Sequence, residues 1–244
     1  MKPARSAGAF DLLICDCDGV IIDSEVICDR VLMALLRETY PGRDLTAALA
    51  GSFGLQTPAI LERVAAHLGH SLPPDFLRRL DREIAAALHR EAAPVPGVRE
   101  ALEQIRLPIA IASNSSSGWI ELSLERAGLS ERVGRAIFSA DLVRHPKPAP
   151  DVYLLAAREK GVAPGRCLVV EDSASGVIAA RAAGMPVIGF TGAGHIPTDH
   201  ADRLLALGAG RIVERMERLP AAVAALDHAG GLESIALAPG TPPP

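Results

Sequence analysis

The chain has 244 residues, 49% of them hydrophobic, which is enough to bury one large α/β core or a core with a smaller companion. Its 25 lysines and arginines against 29 aspartates and glutamates leave a net charge of -4, so there is no basic face and nucleic acid is not an expected partner. No apolar span reaches 18 residues and Met1 to Ala9 lacks the apolar core of a secretory signal, so the expectation is a soluble protein with no membrane partner.

In chain order, the first predicted element is a buried strand from Asp11 to Cys15, which runs into Asp16-Cys17-Asp18-Gly19. Residues two apart on an extended segment project to one side, so Asp16 and Asp18 can aim at a single group. Two carboxylates that close need a cation between them, or one of them keeps a proton. The competing reading is an ordinary Asp-Gly turn. Four cysteines stand at 15, 17, 28 and 167 without metal-site spacing, and read as small apolar residues of a protein in the reducing cytoplasm.

From Ser24 to Ala93 no strand is predicted. Ile27, Val31 and Leu35 share one helical stripe in Ser24 to Glu38, Thr57-Pro58 is a helix start, and Asp75 to Arg90 repeats apolar residues at helical spacing. Residues 23–95 are therefore expected to form an inserted α-helical domain, entered through Ile21-Ile22-Asp23 and left through the stiff Pro94-Val95-Pro96-Gly97. Strands follow at Pro108 to Ala112, Ala136 to Phe138, Cys167 to Val170 and Val187 to Phe190, with a weaker one at Arg211 to Val213. Strands alternating with helical segments indicate an α/β fold with a Rossmann-like parallel sheet, its core drawn from residues 1–22 and 96–230. Residues 231–244 read as a frayed tail.

Three further strand ends carry polar clusters. Ser113-Asn114-Ser115-Ser116-Ser117-Gly118 offers hydroxyls and backbone N–H groups at a helix start, suited to a phosphate oxygen or to plain helix capping. His145-Pro146-Lys147-Pro148 restricts the backbone around one lysine, and Glu171-Asp172-Ser173 places two adjacent acids before another helix. Parallel strands bring their C-terminal ends to one edge, where Asp16, Asp18, Glu171 and Asp172 would meet Lys147 and Ser113. Carboxylates ~4 Å apart repel by about 4 kcal/mol at an effective dielectric near 20, so the set calls for a hard divalent cation such as Mg²⁺.

These four segments, in this order, resemble the haloacid dehalogenase (HAD) superfamily, and the match spans Asp11 to about Phe190. Within it, Asp16 to Glu25 and Glu171 to Gly176 resemble the helical-cap subgroup of β-phosphoglucomutase and sugar-phosphate phosphatases. The resemblance implies a cap that opens and closes over the substrate and a Mg²⁺-dependent phosphatase acting on a small phosphorylated metabolite. It makes Asp16 the nucleophile that takes the phosphoryl group and Asp18 the acid and then the base. Ser113 and the Asn114 backbone N–H would bind a phosphoryl oxygen, and Lys147 would neutralise charge. The metal would be held by the carboxylates of Asp16 and Asp172 and the Asp18 carbonyl, with Glu171 acting directly or through water.

Neighbouring activities in the family separate on particular residues. A dehalogenase lacks the second acid that Asp18 supplies, and a phosphonatase needs a cap lysine, which 24–93 does not contain. A phosphosugar mutase carries an arginine shortly after a cap glycine, whereas this chain reads Gly51-Ser52-Phe53-Gly54-Leu55-Gln56; the mutase stays as the alternative to the phosphatase. Ser52 and His145 are candidate substrate contacts, with Arg43 and Arg63 as possible anion partners, against a plain structural role for each. A non-catalytic phospho-accepting protein is the reading from another class, opposed by the helical insert, which serves turnover rather than signalling. The expected assembly is a monomer or weak homodimer.

Overall fold

The computed structural model describes residues 8–49, 57–193 and 199–228. Its strands, in chain order, are β1 (Leu12–Cys15), β2 (Ile22–Asp23), β3 (Ala93–Pro94), β4 (Ile109–Ser113), β5 (Ile137–Ser139), β6 (Cys167–Glu171), β7 (Val187–Phe190) and β8 (Arg211–Val213). Six of them form one parallel sheet in the order β5-β4-β1-β6-β7-β8, and β2 pairs with β3. The α/β class and all six core strands agree with the sequence reading. Three of those strands, β4, β5 and β6, run one residue further than apolar patterning suggests. Ser113 still pairs with Ser139, and Glu171 with Gly189, because the backbone ladder continues under polar side chains.

The order of connections fixes where a site can form. From β1 the chain steps outward through β4 and β5, then returns to β6 on the other side of β1. Such a reversal opens a crevice beyond the C-terminal strand ends, here between β1 and β6. Both strands are wholly buried, the four residues of β1 having no exposed surface at all. A fully buried leucine or isoleucine contributes about 1.5–3 kcal/mol, so β1 is held firmly behind the polar residues that follow it.

The chain divides into two compact units, one joining the segment that ends at Ile22 to the one that starts at Pro94, the other running Asp23–Ala93. In the second unit the helices are Glu25–Thr39, Thr46–Leu49, Thr57–Leu68 and Phe76–Glu91. The first and last of these pack together, and ion pairs Arg30 to Glu91 and Arg79 to Glu38 join them. Ile27, Val31 and Leu35 are buried, as their spacing requires, with Leu32 and Leu36 beside them. Thr57 lies inside its helix rather than before it. No helix among the described residues is long and apolar enough to cross a membrane.

Candidate active site

Asp16 is the first residue beyond β1, and its N–H continues the ladder by donating to the Val170 carbonyl at 3.0 Å. That bond sets Asp16 beside the end of β6, where Glu171 and Asp172 lie. All three residues are buried, and they offer carboxylate oxygens within 4.8 Å of one another. The Lys147 ammonium, 2% exposed, donates to Asp16 Oδ1 at 2.9 Å, Glu171 Oε1 at 2.7 Å and the Ala112 carbonyl at 2.8 Å. Its three donors are thereby used, and the ring of Tyr153 covers it with its centroid 4.7 Å away.

Burial would lower the Lys147 pKa, but the charges of Asp16 and Glu171 prevail and raise it, so it stays an ammonium. Asp16 is driven above the ordinary carboxylate range, first by burial and then by the charge of Glu171, against the pull of Lys147. One ammonium is too little for three buried carboxylates. An oxygen-seeking divalent cation suits that imbalance. The carboxylates differ in what they have left to give: Glu171 accepts from Lys147 and from the Tyr153 hydroxyl at 2.8 Å on one oxygen, and from the Ser173 N–H and hydroxyl on the other. With four donors already on it, Glu171 is better placed to anchor Lys147 than to take an ion directly.

Asp18 and Gly19 form a turn, the local structure that an Asp-Gly pair favours. The Gly19 N–H donates to the Ile22 carbonyl at 2.8 Å, and the Ile21 and Ile22 N–H groups return to the Cys17 carbonyl. Gly19 has φ of +75°, and a side chain there would stand 1.8 Å from an Asp172 carboxylate oxygen. The Asp18 carboxylate accepts from the Ser115 hydroxyl at 2.5 Å and from the Trp119 indole N–H at 3.0 Å.

The serine run after β4 divides its labour. Ser113 is buried, with its hydroxyl accepting from the Ser115 N–H at 3.1 Å. Ser116 caps the helix Ser117–Arg126 through its side chain. The Asn114 side chain reaches the lysine loop, donating to the Lys147 carbonyl at 3.0 Å and accepting from the Lys147 N–H at 2.8 Å. Asn114 thus fixes the backbone from which Lys147 extends. Ser173 caps the helix Ala174–Ala182, accepting from the Gly176 N–H at 3.0 Å.

The structure therefore gathers Asp16, Lys147, Glu171 and Asp172, ties Asp18 to Ser115, and ties Asn114 to Lys147. His145 is hydrogen-bonded to Asp151 at 3.1 Å, and its side chain is 59% exposed. Ser52, Gly51, Phe53 and Gln56 lie outside the described residues. Residues absent from the sequence reading are Trp119 and Tyr153, and His200, buried with Nε2 2.5 Å from the Asp172 carbonyl. Cys15, Cys17 and Cys167 are buried, and all four cysteines are free thiols. Burial, reinforced by the charge of Asp16, pushes the Cys15 thiol up to about 12, which keeps it protonated and inert.

The haloacid dehalogenase-like hydrolase profile matches residues 10–184. The fructose-1-phosphate phosphatase YqaB of Escherichia coli (strain K12) is 34% identical over 178 residues, which cover 72% of this chain and 94% of the relative. A haloacid dehalogenase-like protein of solved structure from Agrobacterium tumefaciens is 40% identical and superposes with a TM-score of 0.82, over 89% of this chain and 99% of that one. A HAD family hydrolase from Deinococcus radiodurans R1, solved with bound phosphate and sodium, is 37% identical with a TM-score of 0.75, over 92% of this chain and 98% of the other. With four strand ends converging as they do and the profile covering most of the chain, the protein belongs to the haloacid dehalogenase-like hydrolase family.

Proposed function

We propose that the chain hydrolyses a small phosphorylated metabolite, a sugar phosphate or a related polyol or acid phosphate, through a phosphoryl group carried on Asp16. The enzyme is a phosphoric monoester hydrolase. The observation that carries the reading is the buried trio Asp16, Glu171 and Asp172 with the Lys147 ammonium bonded to the first two. The kinship with a fructose-1-phosphate phosphatase supports the sugar-phosphate class.

In the first step an Asp16 carboxylate oxygen forms a bond to phosphorus and the ester P–O bond breaks. The electron pair leaves with the ester oxygen, which takes a proton from Asp18 and departs as the alcohol. In the second step a water oxygen attacks the phosphorus, its proton passes to Asp18, and the bond to Asp16 breaks, releasing inorganic phosphate and restoring the carboxylate. Lys147 and Asn114 work together here, since Asn114 fixes the lysine backbone and the ammonium holds Asp16 in place. Ser113 receives a phosphoryl oxygen, with the Asn114 N–H. Mg²⁺, held by the carboxylates of Asp16 and Asp172 and the Asp18 carbonyl, would supply positive charge that lets an anionic nucleophile meet an anionic ester. Glu171 would act on the ion directly or through water. The helical unit Asp23–Ala93 serves as the cap, and Ser52 and His145 are contacts to the leaving group.

The test is release of phosphate from p-nitrophenyl phosphate and from a panel of sugar phosphates with Mg²⁺, with EDTA, and in Asp16→Asn. Turnover should require the cation and vanish in the variant; turnover that ignores EDTA, or inactivity across the panel, overturns the reading. With β-glucose 1-phosphate the expected product is free phosphate, and accumulation of glucose 6-phosphate would instead identify a mutase.

A further inference from the structure

The Asp18 carboxylate has unlike partners on its two oxygens. Trp119 Nε1 donates to Oδ1 at 3.0 Å, and Ser115 Oγ donates to Oδ2 at 2.5 Å, the separation of a charge-assisted O–H···O⁻ bond. An indole N–H can only donate, so Oδ1 must present a lone pair for as long as this contact holds. A serine hydroxyl donates or accepts, so it stays paired with Oδ2 whether or not that oxygen carries a proton. The backbone from which the indole extends is itself held: the Trp119 N–H is capped by Ser116 Oγ at 3.4 Å, and its carbonyl accepts from the Ser123 hydroxyl at 2.8 Å.

We propose that Trp119 is a positioning residue for Asp18, holding Oδ1 as a permanent acceptor so that Oδ2 is the oxygen that carries and delivers the proton. The inference rests on the acid role given to Asp18 above. As the ester P–O bond breaks and its electron pair moves to the leaving oxygen, the proton passes from Oδ2 to that oxygen, while the Ser115 hydroxyl keeps donating to Oδ2. A general acid works only within hydrogen-bond reach of its target, and a misplacement of about 1 Å can cost on the order of a hundredfold. The plainer alternative is that the contact only staples the turn at Asp18 to the helix Ser117–Arg126.

The two differ in how loss of the indole N–H depends on the leaving group. In kcat/KM, which covers steps up to phosphoryl transfer, an acid matters little when p-nitrophenolate departs and much when a basic phenolate does. The experiment measures kcat/KM of the Mg²⁺-loaded native enzyme, Trp119→Phe and Asp18→Asn on aryl phosphates from p-nitrophenyl to p-methoxyphenyl. For Trp119→Phe the loss should grow from about threefold to on the order of thirtyfold along the series, a part of the ~10²–10⁴-fold that general acid catalysis supplies. Asp18→Asn should steepen further. An equal loss on every substrate in Trp119→Phe, with Asp18→Asn still steep, makes the contact a staple and overturns the inference. A flat response in Asp18→Asn overturns the acid role itself. Trp119 is the one tryptophan of the chain, so its emission reads the contact directly. Asp18→Asn should shift the emission maximum, and an unshifted spectrum also overturns the proposal, even if Trp119→Phe fails to fold.

Discussion

Gly176 stands in the first turn of Ala174–Ala182, and a methyl group on it would lie 1.6 Å from Glu171 Oε1. Glu171 cannot yield without releasing Lys147, Tyr153 and Ser173 at once. Gly176→Ala should therefore cost about 1–3 kcal/mol, the usual range for overpacking, measured by urea denaturation, and reduce kcat by more than tenfold. A stable and fully active variant would mean that the carboxylate has room to move. At this scale the sequence was readable wherever charge stood at the end of an apolar run, as Asp16, Glu171 and Asp172 do, and Lys147 disclosed itself by the prolines on either side of it. Trp119 and Tyr153 do not, because an aromatic residue on an amphipathic helix looks the same whether it packs or aims a polar tip at a carboxylate. The grip of Asn114 on Lys147 spans 33 positions of sequence and leaves no local trace.

Elements join the site through their ends. Ser173 caps its helix and also supplies two of the four donors on Glu171, so one hydroxyl serves a helix start and a strand end. Ser173→Ala should cost about 1 kcal/mol for the cap and up to about 3 kcal/mol in all, because an acceptor on a buried carboxylate loses its hydroxyl partner. Ser173→Thr keeps the hydroxyl and should recover most of it; both are read from denaturation midpoints. The sheet was legible in the sequence because its strands are short apolar runs bounded by polar residues. What escaped was the last residue of three of them: Ser113, Ser139 and Glu171 belong to the ladder through backbone atoms that hydropathy does not register. β2 and β3, two residues each, are too brief to carry a pattern.

Across the molecule the net charge is small, yet the interior of the core unit concentrates three carboxylates around one ammonium. A cation bound there stabilises the native state by mass action. At a hundredfold excess over its Kd the gain is about 2.7 kcal/mol, and Mg²⁺ should raise Tm by roughly 5–10 °C over EDTA in scanning calorimetry. The gain should persist in Asp18→Asn, whose backbone carbonyl is intact, and disappear in Asp172→Asn; an equal loss in both would contradict the division of labour between the two residues. The place of β1 in the sheet also bears on how the chain is made. Its two edges pair with β4 and β6, so the strand that leads to Asp16 leaves the ribosome before both partners and is flanked on both sides only after Cys167–Glu171 has followed it. At about 5–20 residues per second that interval is on the order of ten seconds or more, during which four wholly apolar residues keep an open edge. A nascent chain stalled before β6 holds Asp16 without Glu171 and Asp172 beside it, and is prone to pair with another strand.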